Sequence, residues 1–152
     1  MKKLAIVVLL VVAGCSRKVN VTTNPSTPEI TASGSGAIGP REAVQRFMET
    51  AKAQDIQAMA DIWGTKDGPA RSTMSKEQLE PRLLYMMRCL RLESYSILSE
   101  RQTMDGARVF TVEIRRGNLT PRADFTTTLG PQNRWYLKEF DPAKLNSICV
   151  AK

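Results

Sequence analysis

The residues of this 152-residue chain with side chains able to do chemistry are few: three cysteines, a scatter of carboxylates and tyrosines, and no histidine. Without histidine there is no Ser-His-Asp or Cys-His arrangement, and the commonest general base and metal ligand is missing. Glu113 and Asp124 fall on neighbouring strand-like segments, where they could form a carboxylate pair with Tyr95 or Tyr136 as proton donor. The same alternation of charged and apolar residues describes solvent-facing strand positions, with Arg115 and Arg122 close enough to neutralise them across a sheet. The second reading is preferred, so no catalytic residue is assigned and no enzyme is expected. Met86 and Met87 could suggest a soft-metal site, but neither a histidine nor a third nearby thioether completes a ligand set. They are expected in the core, and no metal or cofactor is implied.

Cys15 has a different setting. Lys2 and Lys3, the apolar run Leu4 to Val12, and small Ala13 and Gly14 precede it, which is the order of a cleavable secretory signal over residues 1–14. The run is short of the ~20 apolar residues that a membrane span needs. Val12-Ala13-Gly14-Cys15 resembles the lipobox of bacterial lipoproteins. That resemblance implies cleavage before Cys15 and a diacylglyceryl group on its thiol, which makes Cys15 a membrane anchor, not a nucleophile. One acyl chain binds marginally and several hold firmly, so the membrane is the expected partner. Ser16 stands where an aspartate would retain an enterobacterial lipoprotein at the inner membrane. The implied address is the bacterial cell envelope, at the outer membrane and facing the periplasm.

With Cys15 acylated, Cys89 and Cys149 remain. Outside the cytoplasm an even pair favours a disulfide, and the loop closed between them would be worth on the order of 4 kcal/mol in the chain-entropy model. Two buried free thiols are the alternative. Redox chemistry fits less well, because the two are far apart in sequence with no Cys-x-x-Cys spacing.

Residues 15–39 are rich in Asn, Thr, Ser, Pro and Gly without apolar periodicity, and read as a lipidated tether. Its relaxed reach is on the order of 25 to 30 Å. Arg17 and Lys18 are too few to act as a polybasic cluster. The formal charge of +7 falls to +5 once Lys2 and Lys3 leave with the signal. The basic residues are scattered rather than striped, so nucleic acid is not an expected partner. Solubility and contact with anionic envelope material are the expected consequences.

Residues 40–152 suffice for one compact domain. Helical spacing appears first: Val44, Phe47, Met48 and Ala51 from Pro40 to about Ala53, then Ile56, Met59, Ala60 and Trp63 after an Asp55 cap. Gly64 is expected to end the second helix in a left-handed conformation, and Thr65 to Thr73 to form a charged loop. A third helix should follow, with Ser75 and Gln78 as a capping box, Leu79, Leu83, Met86, Met87 and Leu90 as its stripe, and a kink or split at Pro81. After Glu93 the period becomes two. Strands are expected over Tyr95–Arg101, Ala107–Arg116, Leu119–Leu129 and Arg134–Phe140, with turns at Asp105-Gly106, Gly117-Asn118 and Gly130-Pro131. Pro121 belongs at a strand's start or edge, and Asp141-Pro142 should cap a helical turn. The class is α+β: three N-terminal helices packed on a curved four-stranded antiparallel sheet.

The helix reading AVQRFMETAKAQD, the alanine-rich helix ending in Trp63-Gly64, and a last strand carrying Trp135-Tyr136-Leu137-Lys138 resemble the NTF2-like, cystatin-related cone domains of bacterial lipoproteins over roughly Pro40 to Phe140. That fold hosts isomerases, dehydratases, transport factors and non-catalytic modules, so it does not select a function. The expected function is a non-catalytic domain that binds an envelope protein or a surface polymer. One alternative is a carrier of small apolar ligands, with a pocket bordered by Trp63, Tyr85, Tyr95 or Tyr136. Another is an isomerase or hydratase using Glu113 or Asp124. Face-to-face dimers are common among such sheets, and Val109, Thr111, Ala123, Phe125, Trp135 and Leu137 are one alternation that could form a homodimer contact, the opposite alternation being the other choice.

Overall fold

The computed structural model describes residues 34–150. The signal sequence, Cys15, Ser16 and most of the tether lie outside the described residues. Among the described residues no helix is long and apolar enough to cross a membrane.

Helix α1, Pro40–Ala53, starts with proline in its first turn and buries Ala43, Val44, Phe47, Met48 and Ala51 on one face. It stops where Gln54 turns left-handed at φ 58°. Asp55 then caps α2, Ile56–Ile62, by accepting the Ala58 N–H at 3.0 Å. The capping oxygen satisfies one of the orphan amides that begin any helix.

Gly64 departs from expectation. Trp63 is extended, at φ −79° and ψ 132°, and Gly64–Thr65 forms a two-residue strand, β1, antiparallel to β2, Gly68–Pro69. Gly64 is needed for space, not for a left-handed turn: a Cβ there would run into the Gly68 carbonyl and lie 2.9 Å from the Pro69 Cα. The segment expected as a charged loop is thus a small hairpin followed by a single helical turn, α3, Ala70–Thr73. Among the described residues, four helices rather than three precede the main sheet.

Helix α4, Lys76–Cys89, passes through Pro81 without being split, and the Ser75 side chain makes no cap bond. The Pro81 ring removes one backbone bond, to the Glu77 carbonyl, close to the exposed helix start, where water can replace it. Burial of Leu79, Leu83, Met86 and Met87 further along holds the helix to the core.

The main sheet has the order β3-β4-β5-β6, all antiparallel: Ser94–Gln102, Arg108–Arg115, Arg122–Leu129 and Trp135–Phe140. Gly106 and Gly117 supply the positive φ of the first two turns, at 82° and 57°. Pro121 sits just before β5, where its carbonyl still accepts the Ile114 N–H. Asp141 caps a 3-10 turn, Pro142–Leu145, which leads into α5, Asn146–Cys149.

Register decides the faces. Phe110, Phe125 and Phe140 stand in line across three strands, beside Val112 with Ala123 and Tyr95 with Ile114, and these face the helices. Rings of Phe47, Phe125 and Phe140 meet at centroid distances of 5.1 to 6.5 Å, filling the centre of the domain. Thr127, fully buried, turns its hydroxyl to the Arg108 carbonyl. The six residues proposed as one dimer face are therefore split. Val109 opposes Thr126 and Thr111 opposes Asp124 on the outer side, whereas Ala123, Phe125 and Leu137 belong to the core.

The β6 edge is covered. Ala37 pairs with Trp135 through two backbone bonds of 2.8 Å, and Trp63 forms a parallel bridge to Leu137. Gly36 and Ala37 are both buried: Ala37 covers an edge that would otherwise be open, and the Gly36 N–H donates to the Asp61 carbonyl at 2.9 Å.

Candidate functional site

The strand carboxylates lie on the outer face, each with its own partners. Arg122 holds Glu113 through Nη2 at 2.7 Å and Nε at 2.8 Å. Asp124 accepts the Thr111 hydroxyl at 2.8 Å and the Arg101 guanidinium at 3.0 Å. Arg115, the other expected partner, stands opposite Ser94. The Thr111 hydrogen bond, helped by Arg101, holds the Asp124 carboxyl below its ordinary value. A general acid at neutral pH needs the reverse shift.

The tyrosines are elsewhere. Tyr95 is half-buried beside Glu49, and burial first, then that carboxylate, pushes its hydroxyl up to about 12. Tyr136 is buried, its ring under Gly36 and Gly130 and its hydroxyl 3.4 Å from Ser35 Oγ. Glu113, Asp124, Tyr95 and Tyr136 do not share a cavity.

Cys89 and Cys149 lie at disulfide distance, with S–S 2.23 Å, and join the end of α4 to α5. Met86 and Met87 are buried core residues. Among the described residues no group of His, Cys, Asp and Glu could hold a metal ion.

The apolar concavity is a groove of about 380 Å³ where α4 meets β6, open to solvent. Its walls are Trp63, Pro81, Tyr85, Met86, Phe140 and Pro142, with Arg82, Lys138 and Glu139 at the rim. Trp63 is fixed there by its backbone bridge to Leu137 and by its indole N–H, which donates to the Lys138 carbonyl at 3.2 Å. Tyr85 follows Pro81 by one helical turn, so both face the groove, and the residue is 52% exposed. Asp141 accepts the Ala143 N–H at 2.9 Å and so sets the turn that presents Pro142.

Comparison of the chain with family models, with curated proteins and with solved structures finds no similar protein. The groove has to be read from its own chemistry.

Of the aromatic residues expected to border a pocket, Trp63 and Tyr85 meet here, while Tyr95 and Tyr136 do not. Sequence reasoning missed Phe140, Pro142 and Pro81 as lining residues. Pro81 carried the available signal, since a proline retained inside a good helix pattern calls for a reason beyond helix formation.

A second concavity, about 680 Å³, lies between the β1–β2 hairpin and the β3–β4 turn. Trp135, Lys66, Arg108 and Lys138 line it together with Asp67 and Asp105, so both signs of charge are present. Lys138 borders both concavities.

Proposed function

We propose that the chain is a bacterial envelope lipoprotein, cleaved before Cys15, acylated on that residue and held at the outer membrane facing the periplasm, with an NTF2-like domain that binds and does not catalyse. The N-terminal sequence supports the anchor. The α+β architecture with four antiparallel strands is compatible with the family.

The binding reading rests on one observation, the open groove in which Trp63, Tyr85, Phe140, Pro81 and Pro142 present apolar surface that the protein's own core leaves uncovered. Aromatic anchors in a concave patch with a charged rim are the usual composition of a protein-binding hot spot. The occupant is an apolar segment of a partner envelope protein. A small-ligand carrier is less well supported, because the space between helices and sheet is filled by Phe47, Phe125 and Phe140 and the groove is open rather than enclosing.

A photo-activated crosslinking residue in place of Tyr85, in the full chain expressed in a bacterium with its own N-terminus, tests the groove. The expected result is one discrete protein adduct, lost on adding Trp63→Ala and absent when the crosslinker replaces Ser99 on the sheet. Adducts at both positions, or a co-purifying small-molecule mass in native mass spectrometry, would overturn it. The anchor is tested by acyl labelling, which Cys15→Ala should abolish along with membrane retention.

A further inference from the structure

The second concavity, about 680 Å³, lies between two turns that are far apart in sequence, and Trp135 lines it. The chain has two tryptophans, and their indoles are used differently. The Trp63 N–H is engaged by the Lys138 carbonyl at 3.2 Å, whereas the Trp135 indole N–H has no acceptor among the described residues and is not sealed from solvent. Three polar side chains of the same hollow are also unengaged: among the described residues, those of Lys66, Asp67 and Gln102 make no hydrogen bond or ion pair.

The frame around these groups is held in place. The Asp67 N–H donates to Thr65 Oγ1 at 3.2 Å, which shapes the β1–β2 turn. Gly130 leaves room for that hairpin to close on the β5–β6 turn, since a Cβ there would lie 3.0 Å from the Thr65 carbonyl oxygen. In the β3–β4 turn, the Thr103 hydroxyl and the Ala107 N–H both donate to Asp105 and fix its carboxylate. Trp135 is packed against the core and tied to Ala37 through its backbone N–H and carbonyl.

Neither sign of charge prevails in the hollow. Lys66, Arg108 and Lys138 line it together with Asp67 and Asp105, and Arg108 and Lys138 already have Glu100 and Glu139 within 3.6 Å. An anionic ligand would meet the two carboxylates, and a cationic one the basic groups. A sugar hydroxyl suits both, because it donates to a carboxylate and accepts from an ammonium group or an amide. The C–H face of a pyranose ring, apolar and slightly positive, fits the negative π face of an indole. We infer that the Trp135 hollow binds a neutral saccharide, with a sugar ring on the indole and its hydroxyls shared among Lys66, Asp67, Gln102 and Asp105. The sugar is either free or one unit of a polymer chain. The hollow shares Lys138 with the Trp63–Tyr85 groove, and the inference does not depend on the function proposed there.

The test follows the two indole N–H signals of the full chain by ¹H–¹⁵N NMR, in a sugar-free polyoxyethylene detergent. Trp63→Phe assigns them. The probes are glucose, galactose, mannose and N-acetylglucosamine, each alone and as its linear tetramer, with inorganic phosphate as the anionic comparison. A saturable shift of the Trp135 signal with at least one of these sugars is expected, while the Trp63 signal stays in place. The double variant Lys66→Ala, Asp67→Ala should weaken that binding about tenfold or more, the loss typical of hydrogen bonds to charged groups. Arg122→Gln, at the other end of β5 from Thr128, should leave it unchanged. Equal affinity for a monosaccharide and its tetramer assigns a free sugar, and tighter binding of the tetramer assigns a polymer chain. No saturation with any sugar, a stronger response to phosphate, or an affinity unchanged in the double variant would overturn the site. Lys66 and Asp67 are exposed, so a loss of fold would show as a general change of the spectrum and is separable from lost binding.

Discussion

Trp63 and Lys138 are joined by a hydrogen bond from the indole N–H to a backbone carbonyl, at 3.2 Å across 75 positions of sequence. Lys138 is the extra residue of a bulge, because Thr126 pairs with Glu139 and Thr127 with Leu137. A bulge frees a carbonyl from the ladder, and the indole supplies the donor it lost. The same contact aims one face of Trp63 into the groove. Trp63→Phe should therefore cost about 1 kcal/mol for the lost bond, and Trp63→Ala about 2 to 3 kcal/mol with the ring removed as well. Urea midpoints at constant slope would check both. A Trp63→Phe variant as stable as the parent would show that the bulge carbonyl does not depend on the indole.

Gly36 and Gly106 both have positive φ, 70° and 82°, but only Gly36 is crowded. A Cβ there would lie 2.8 Å from Arg134 Cβ and 2.9 Å from the Tyr136 ring, while nothing lies within 4 Å at Gly106. Gly106→Ala should lose about 1 kcal/mol, the backbone cost of a side chain in that conformation. Gly36→Ala should lose more, about 2 kcal/mol or above, because it also displaces Ala37 from the β6 edge. Thermal unfolding of the two variants side by side measures the difference.

Reduction of the Cys89–Cys149 pair should lower stability by about 2 to 4 kcal/mol, since the closed loop spans 60 positions. The oxidised protein should weigh two hydrogens less than the reduced one. Unfolding with and without reductant, compared with a Cys89→Ala, Cys149→Ala variant, tests this; if reductant leaves the midpoint unchanged, the cross-link contributes nothing to the fold.

Asp124 makes stability depend on pH at the acid end. Its folded-state value lies below the ordinary 3.8, so its contribution is present above that pH and is lost as pH falls below it. The side chain is 47% exposed, and solvent screening keeps the contribution below about 1 kcal/mol. Asp124→Asn should lower the urea midpoint at pH 7 more than at pH 3. Equal shifts at the two pH values would remove the charge from the account.

The local elements were written in short-range chemistry. Proline at the first position of α1, the Asp55 cap, the Gly106 and Gly117 turns, and the change of apolar period after Glu93 each act within a few residues, so helices and strands could be read directly from the chain. The α+β class followed from their order. Gly64 and Pro81 misled for one reason: each had a habitual local role, and a tertiary contact or burial outweighed it.

Register and edges were decided by tertiary structure. Alternation along β4 and β5 left two choices of face, and only the pairing of Phe110 with Phe125 and Phe140 selected the inner one. The groove needed Trp63, Tyr85 and Phe140 to come from three separate elements. The sequence by itself determined the main helices and strands of the described residues and the lack of histidine chemistry. Which side chains meet was settled by packing, because a contact between residues distant in the chain depends on the simultaneous burial of all the surfaces around it.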